Sequence, residues 1–274
     1  MITNLEILLI LLPFDLPNSF LENIEALAEY IRHRLLNGLS LLFSVSNIIL
    51  PSTMKTKYVE FGSTQSQKKT EDSVGLRMGI LGYRCIGRQC ARLAQALGMD
   101  VHAFTNREQS TPRSRKDDSY TKPGLGDPNG EVPSRWFHWQ RQSHHFLSGL
   151  DLLVITLPLT SSTEGMISHE EFKALSRRRA FVSNVGRGPI VGTNALIKSL
   201  NEGMIRGAAL NVTDPEPLPK NHPLWTAKNI VITPHVSGSS TNYSQRILKI
   251  LVHNLKSRDE GKEFVNKVNK SLGY

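Results

Sequence analysis

Four stretches of the 274-residue sequence hold side chains that could do chemistry. Asn184-Val185-Gly186-Arg187-Gly188-Pro189-Ile190-Val191 sets an arginine between glycines, Asp214-Pro215-Glu216-Pro217-Leu218 sets a carboxylate between prolines, and Thr233-Pro234-His235-Val236-Ser237-Gly238 presents an imidazole. Histidine titrates near neutrality and can both take and return a proton. A carboxylate beside it fixes the tautomer and favours the imidazolium. Arginine offers a planar fork that fits a carboxylate with two hydrogen bonds. The fourth stretch, Gly79-Ile80-Leu81-Gly82-Tyr83-Arg84-Cys85-Ile86-Gly87, reads as a G-x-G-x-x-G phosphate-binding turn with Gly82 and Gly87 in the first and third places. Arg84 fills the second, where glycine normally lets the backbone approach the phosphates. Its side chain either takes up that space or offers its charge to a phosphate. Taken singly, each residue has an ordinary reading: a surface ion pair for Arg187, loop punctuation for Glu216, a satisfied or surface histidine for His235.

Chemistry at these positions requires elements that bring them to one edge. From Gly75 the sequence alternates short apolar runs with helical periodicity. Strands are expected at Arg77–Leu81, Val101–Phe104, Leu152–Leu157, Phe181–Asn184, Gly207–Val212 and Ile230–Thr233. Helices are expected at Ile86–Leu97, from Ser168 to Leu175 with Glu171 in the capping-box place, at Asn194–Asn201 and at Asn242–Ser257. Near-continuous apolar strands separated by helices imply an α/β fold: a doubly wound, Rossmann-like parallel sheet covered on both faces. The Arg187, Glu216 and His235 stretches each follow a strand, at the carboxyl edge where open α/β sheets bind ligands. Residues 106–145 are polar and rich in Pro and Gly, and read as a long insertion without secondary structure of its own. Ahead of this, residues 1–73 suggest a strand at Leu5–Leu12, a helix from Asn18 or Ser19, strands at Val45–Leu50 and Tyr58–Phe61, and a linker from Ser63.

On these motifs, with the Pro158-Leu159-Thr160 strand end, the sequence resembles the D-isomer-specific 2-hydroxyacid dehydrogenases over about residues 74–274. Its long insertion is similar to that of fungal members. The resemblance implies an NAD(P)-dependent oxidoreductase that interconverts a 2-hydroxy acid and a 2-keto acid by hydride transfer. Arg187 would hold the substrate carboxylate and carbonyl, His235 would be the acid/base and Glu216 its partner. Coenzyme contacts are expected at Gly82, Arg84, Cys85, Ile86, Gly87, Thr105, Arg107, Leu157, Pro158, Thr163, Val185, Gly186, Arg187, Asn211, His235 and Gly238, with no metal. The second strand ends in Phe104-Thr105-Asn106-Arg107, with no acid until Glu108. A carboxylate there would bind the ribose 2′-OH of NAD and a basic residue the 2′-phosphate of NADP. NADP is therefore favoured if Arg107 is that residue, and it is a solvated loop residue otherwise.

The departures from the family pattern are Arg84 in a glycine's place, Asn211 where an aspartate usually stands near the nicotinamide carboxamide, and Gly192 for an acidic residue after the Arg187 motif. Residues 1–73 do not match the family's first lobe. The expected organisation is therefore a reduced, atypical substrate lobe and linker (1–73), a dinucleotide-binding domain (74–238), and a terminal helix and tail returning towards the first lobe (239–274). The reduced lobe and Arg84 would impair activity. Two other readings remain: a non-catalytic dinucleotide-binding or corepressor-like protein on the same fold, and a chain whose functional form has a longer N-terminus.

Composition excludes other classes. With 39% hydrophobic residues and only two cysteines, the chain is neither wholly disordered nor a disulfide scaffold. The net charge of +9 is spread in short clusters, Arg113–Lys116 and Arg177–Arg179, which reads as a basic surface and not a nucleic-acid site. Residues 35–54 lack charge but carry Asn, Gly, Pro and Ser, unlike a membrane span. A cytoplasmic protein is expected, acting on a small hydroxy or keto acid and pairing as a homodimer through its coenzyme domains.

Overall fold

In the computed structural model the described residues are 72–138, 142–238 and 241–266. The strands, helix and linker expected ahead of Asp72 lie outside them. The described chain runs β1 (Arg77–Leu81), α1 (Cys85–Ala96), β2 (Asp100–Thr105), α2 (Pro112–Arg115), β3 (Arg135–His138), α3 (Ser143–Ser148), β4 (Leu152–Ile155), α4 (His169–Leu175), β5 (Phe181–Asn184), α5 (Thr193–Asn201), β6 (Gly207–Leu210), β7 (Ile230–Ile232) and α6 (Tyr243–Asp259). The seven strands form one sheet in the order β3-β2-β1-β4-β5-β6-β7. Every pair is parallel, so all carboxyl ends meet at one edge. Order reverses between β1 and β4, the switch point at which such sheets open a crevice.

Two apolar layers sandwich the sheet. Met78, Ile80, Val101, Ala103, Leu152 and Val154 face the side that buries Cys90, Ala91 and Ala94 of α1. Leu81, Phe104, Leu153, Ile155 and Val182 face the other, packed with Phe146 of α3, Phe172 of α4 and Leu196 of α5. Local chemistry sets the helix ends. Gly98 adopts φ +74°, its N–H bonds Gln95 O and that of Met99 bonds Ala94 O, which satisfies the last carbonyls of α1. At the start of α4 the Glu171 carboxylate accepts the Ser168 N–H at 3.0 Å, as the capping-box spacing predicts.

The expected 106–145 loop is a correction. It contains α2, the edge strand β3 and the start of α3. Arg135-Trp136-Phe137-His138 gave no strand signal because only Phe137 is fully buried. On an edge strand the other positions stay partly wet and need not be apolar. The loop ahead of β3 is fastened to the core by Asp127. Its buried carboxylate accepts the Tyr83 hydroxyl at 2.7 Å and the N–H groups of Glu131 and Val132 at 2.9 and 3.1 Å. Burial, reinforced by this carboxylate, pushes the Tyr83 phenol far above its usual range, so it stays a donor. Arg88, also buried, donates to the carbonyls of Asp127 and Arg115.

Along α6 the side chains of Tyr243, Ile247, Leu248, Leu251, Val252 and Leu255 are all exposed. None of the described helices is long and apolar enough to cross a membrane. Because three hydrogen bonds end on one buried carboxylate, Asp127→Ala should lower stability by about 2 kcal/mol in urea unfolding. Glu131→Ala, which removes an exposed side chain, should change it by less than about 0.5 kcal/mol.

Candidate active site

The phosphate turn keeps the geometry a dinucleotide needs. Gly82 lies at φ +102°, a conformation that side chains rarely adopt, and its N–H bonds Phe104 O on β2 at 3.1 Å. A Cβ there would press on Leu157 and Thr156. One on Gly87 would overlap the Gly82 carbonyl, so the first turn of α1 can lie this close to the strand only as glycine. Arg84, by contrast, sits at φ −102° just before α1, in backbone space open to any residue, and is exposed. The first turn carries no acidic side chain against its free N–H groups. These residues fit a dinucleotide diphosphate.

The coenzyme residues expected further along fall into two groups. Arg107 is exposed beyond β2, where the Thr105 hydroxyl bonds its carbonyl at 2.7 Å and turns the chain. Cys85, Ile86 and Gly238 are also exposed. Leu157 and Pro158 line the turn after β4, and Val185 is half-buried beside it. Thr163, however, spends its hydroxyl internally, accepting Thr160 N–H and donating to Pro158 O, both at 2.8 Å, so it shapes the loop. Both ends of the Asn211 amide are likewise engaged. Its Nδ2 donates to Thr233 Oγ1 at 2.8 Å, and its Oδ1 accepts Ser237 N–H at 3.3 Å.

At the far side of the crevice, β5, β6 and β7 are neighbours and deliver Arg187, Glu216 and His235 on adjoining loops. His235 Nδ1 lies 3.0 Å from Glu216 Oε1. A carboxylate only accepts, so the bond places the proton on Nδ1 and leaves Nε2 to exchange protons. His235 adopts φ +48°, sterically costly for a side-chain-bearing residue, and its N–H is held by Asn211 O at 2.9 Å and Thr233 O at 3.0 Å. Asn211 thus anchors the imidazole's turn from both backbone and side chain. The Glu216 and His235 side chains are 39% and 46% exposed.

The Arg187 loop is shaped by Asn184, 1% exposed, whose amide accepts Gly186 N–H at 3.0 Å and donates to Arg187 O at 2.9 Å. A Cβ on Gly186 would come within 2.7 Å of Leu157 O, and one on Gly188 would overlap Thr213 O. Thr193, opening α5, bonds Asp214 O at 2.8 Å. Arg187 is exposed, with Nη1 on its neighbour's carbonyl. Asn184, Gly188 and Thr193 were missed as positioning residues in the sequence. The close approach of Gly188 to the loop that carries Glu216 has no sequence signature beyond the glycine.

Known proteins resemble the chain in sequence and in fold. Residues 131–237 match the family described as D-isomer specific 2-hydroxyacid dehydrogenase, NAD binding domain. A glyoxylate reductase of Aeropyrum pernix is 35% identical over 198 residues, 72% of this chain and 53% of that protein. Over the matched residues this chain is similar to the coenzyme-binding part of the D-isomer specific 2-hydroxyacid dehydrogenases. A hydroxypyruvate reductase of Blautia hydrogenotrophica is 34% identical over 72% of this chain and 54% of its own length. The chain thus spans about half the length of these curated relatives. Among solved structures, phosphoglycerate dehydrogenase from Lactobacillus plantarum superposes with TM-score 0.55 and 28% identity, covering 76% of this chain and 60% of that one.

Gly188→Ala drives a methyl into backbone and should cost roughly 1–3 kcal/mol in thermal or urea unfolding. Gly149→Ala, where the nearest atom is 3.8 Å from the new Cβ, should be near neutral.

Proposed function

We propose that the chain is an NAD(P)-dependent oxidoreductase that interconverts a 2-hydroxy acid and a 2-keto acid, with glyoxylate or hydroxypyruvate as the substrate class. The observation that carries this reading is the Glu216–His235 pair on the same sheet edge as the dinucleotide cradle, with the Arg187 loop on the adjoining strand. The two reductases named above support the substrate class.

A nicotinamide coenzyme, when bound, would supply the hydride for the keto carbon in the reducing direction. Arg187 binds the substrate carboxylate and polarises the carbonyl beside it. His235, as imidazolium, gives its Nε2 proton to the carbonyl oxygen as negative charge develops there. Glu216 holds the Nδ1 proton throughout and stabilises the charged ring. In the oxidising direction neutral His235 takes the hydroxyl proton. A binding protein without chemistry would have no use for this pair.

NADP is the coenzyme we favour, with exposed Arg107 after β2 for its 2′-phosphate. Two chains pair through their coenzyme domains, as the family resemblance implies. Both described cysteines are free thiols, and burial pushes that of Cys90 up, which fits a reducing cytoplasm.

Steady-state assays with small 2-keto acids and both reduced coenzymes test this. Turnover is expected with at least one keto acid, and none with any would refute the reading. His235→Ala should cut turnover about 10²–10⁴-fold while nicotinamide fluorescence titration finds coenzyme affinity nearly unchanged. Arg107→Ala should weaken NADPH binding by about tenfold and leave NADH binding near its starting value.

A further inference from the structure

The segment between β2 and β3 has no part in the mechanism above, yet it is fastened to the first two turns of α1. Arg92 donates to the Gly124 carbonyl, Gln89 Oε1 accepts Gly126 N–H at 2.7 Å, and Arg88 binds Asp127 and Arg115. Tyr83, inside the phosphate turn, is tied to Asp127. These contacts lead back to the start of the helix, where Ser119 Oγ lies 3.4 Å from Sγ of Cys85, the first residue of α1. Beyond it the Tyr120 ring lies 5.1 Å from that of His253 on α6. The segment is therefore a strap that crosses from the phosphate turn to the helix following the His235 loop.

A thiol is a weak partner for a hydroxyl, so the half-buried Ser119 retains a donor to offer at this spot. Of the two acids that precede it, Asp117 has a side chain 5% exposed and 3.4 Å from the Arg88 guanidinium, and Asp118 is exposed to solvent. We propose that Ser119 is a further coenzyme-binding residue. The strap carries its hydroxyl to the first turn of α1, where it donates to the dinucleotide diphosphate beside the free N–H groups. It thereby offsets the close backbone approach that a residue other than glycine at position 84 forgoes. The inference rests on the oxidoreductase reading above.

Nicotinamide fluorescence titration with NADPH and NADH tests it on the full chain and on Ser119→Ala, Ser119→Asp and Ser114→Ala. Competition with adenosine 2′-phosphate, or adenosine if NADH binds better, probes the same site without the diphosphate. Ser119→Ala should weaken the preferred dinucleotide by about tenfold, the loss of one hydrogen bond to a charged group. Ser119→Asp, which sets a carboxylate against the phosphates, should weaken it by about a hundredfold or more. Affinity for the diphosphate-free probe and the thermal midpoint should stay at wild-type values, as should dinucleotide binding by Ser114→Ala, whose side chain bonds only within its own turn. Dinucleotide affinity of Ser119→Ala within about twofold of wild type, or an equal loss for the probe, would overturn the proposal alone. Wild-type protein that binds neither coenzyme would overturn the oxidoreductase reading together with it.

Discussion

The backbone contact between Gly188 and Thr213 is the constraint on which the candidate site depends. Parallel pairing brings the carboxyl ends of β5 and β6 side by side, but loops leaving adjacent strands ordinarily diverge. Here the absence of one Cβ lets the loop of Arg187 rest directly on the backbone leading to Glu216. Thr193 closes the same seam with a hydrogen bond to Asp214, and Glu216 in turn meets His235. Three loops from three strands are thus tied by one backbone contact and two side-chain hydrogen bonds, that of Thr193 and that of the Glu216–His235 pair. The backbone contact restricts position with little further loss of rotamer entropy, which suits a site whose function depends on orientation.

A second seam serves the coenzyme edge. Gly82 and Gly87 let the first turn of α1 close on β1, and Asp127 secures Tyr83 between them. The two seams differ in what they tolerate. The turn accepts Arg84 because that position is extended and open, whereas Gly87 and Gly188 face backbone that cannot yield. A departure from a motif therefore matters according to what its extra atoms would meet. Two of the three glycines of G-x-G-x-x-G are structural necessities here, and the third is a question of ligand contact.

The legible parts of the sequence were those whose physics is local. Arg77–Leu81 and Phe181–Asn184 were bounded to the residue, each a short segment with an apolar centre or start set between polar or glycine-containing turns. Gly98 and the Ser168/Glu171 pair announced the helix ends they make. The motifs around Arg187, Glu216 and His235 could be placed after strands, and the sheet order then made them neighbours. What could not be read depended on distant partners. β3 is wet on most of its positions and is defined by pairing with β2. Asn211 is at the place of an expected coenzyme contact, but it holds Thr233 and Ser237 across the strand end. Thr163 likewise turns inward. A polar residue at a ligand edge has two customers, the ligand and the loop, and only the fold decides between them.

Asn211 also bears on how the imidazole is held. A carboxylate at that position would add negative charge beside the His235 turn, whereas the amide adds none and holds the turn through Thr233, Ser237 and the His235 N–H. The ring itself is bonded by Glu216. That bond is more than a third exposed on both sides, where water and salt weaken it. Covering the pair would remove that water and strengthen the contact that orients the ring. Orientation of the imidazole and exclusion of water from the crevice therefore meet at one carboxylate, that of Glu216.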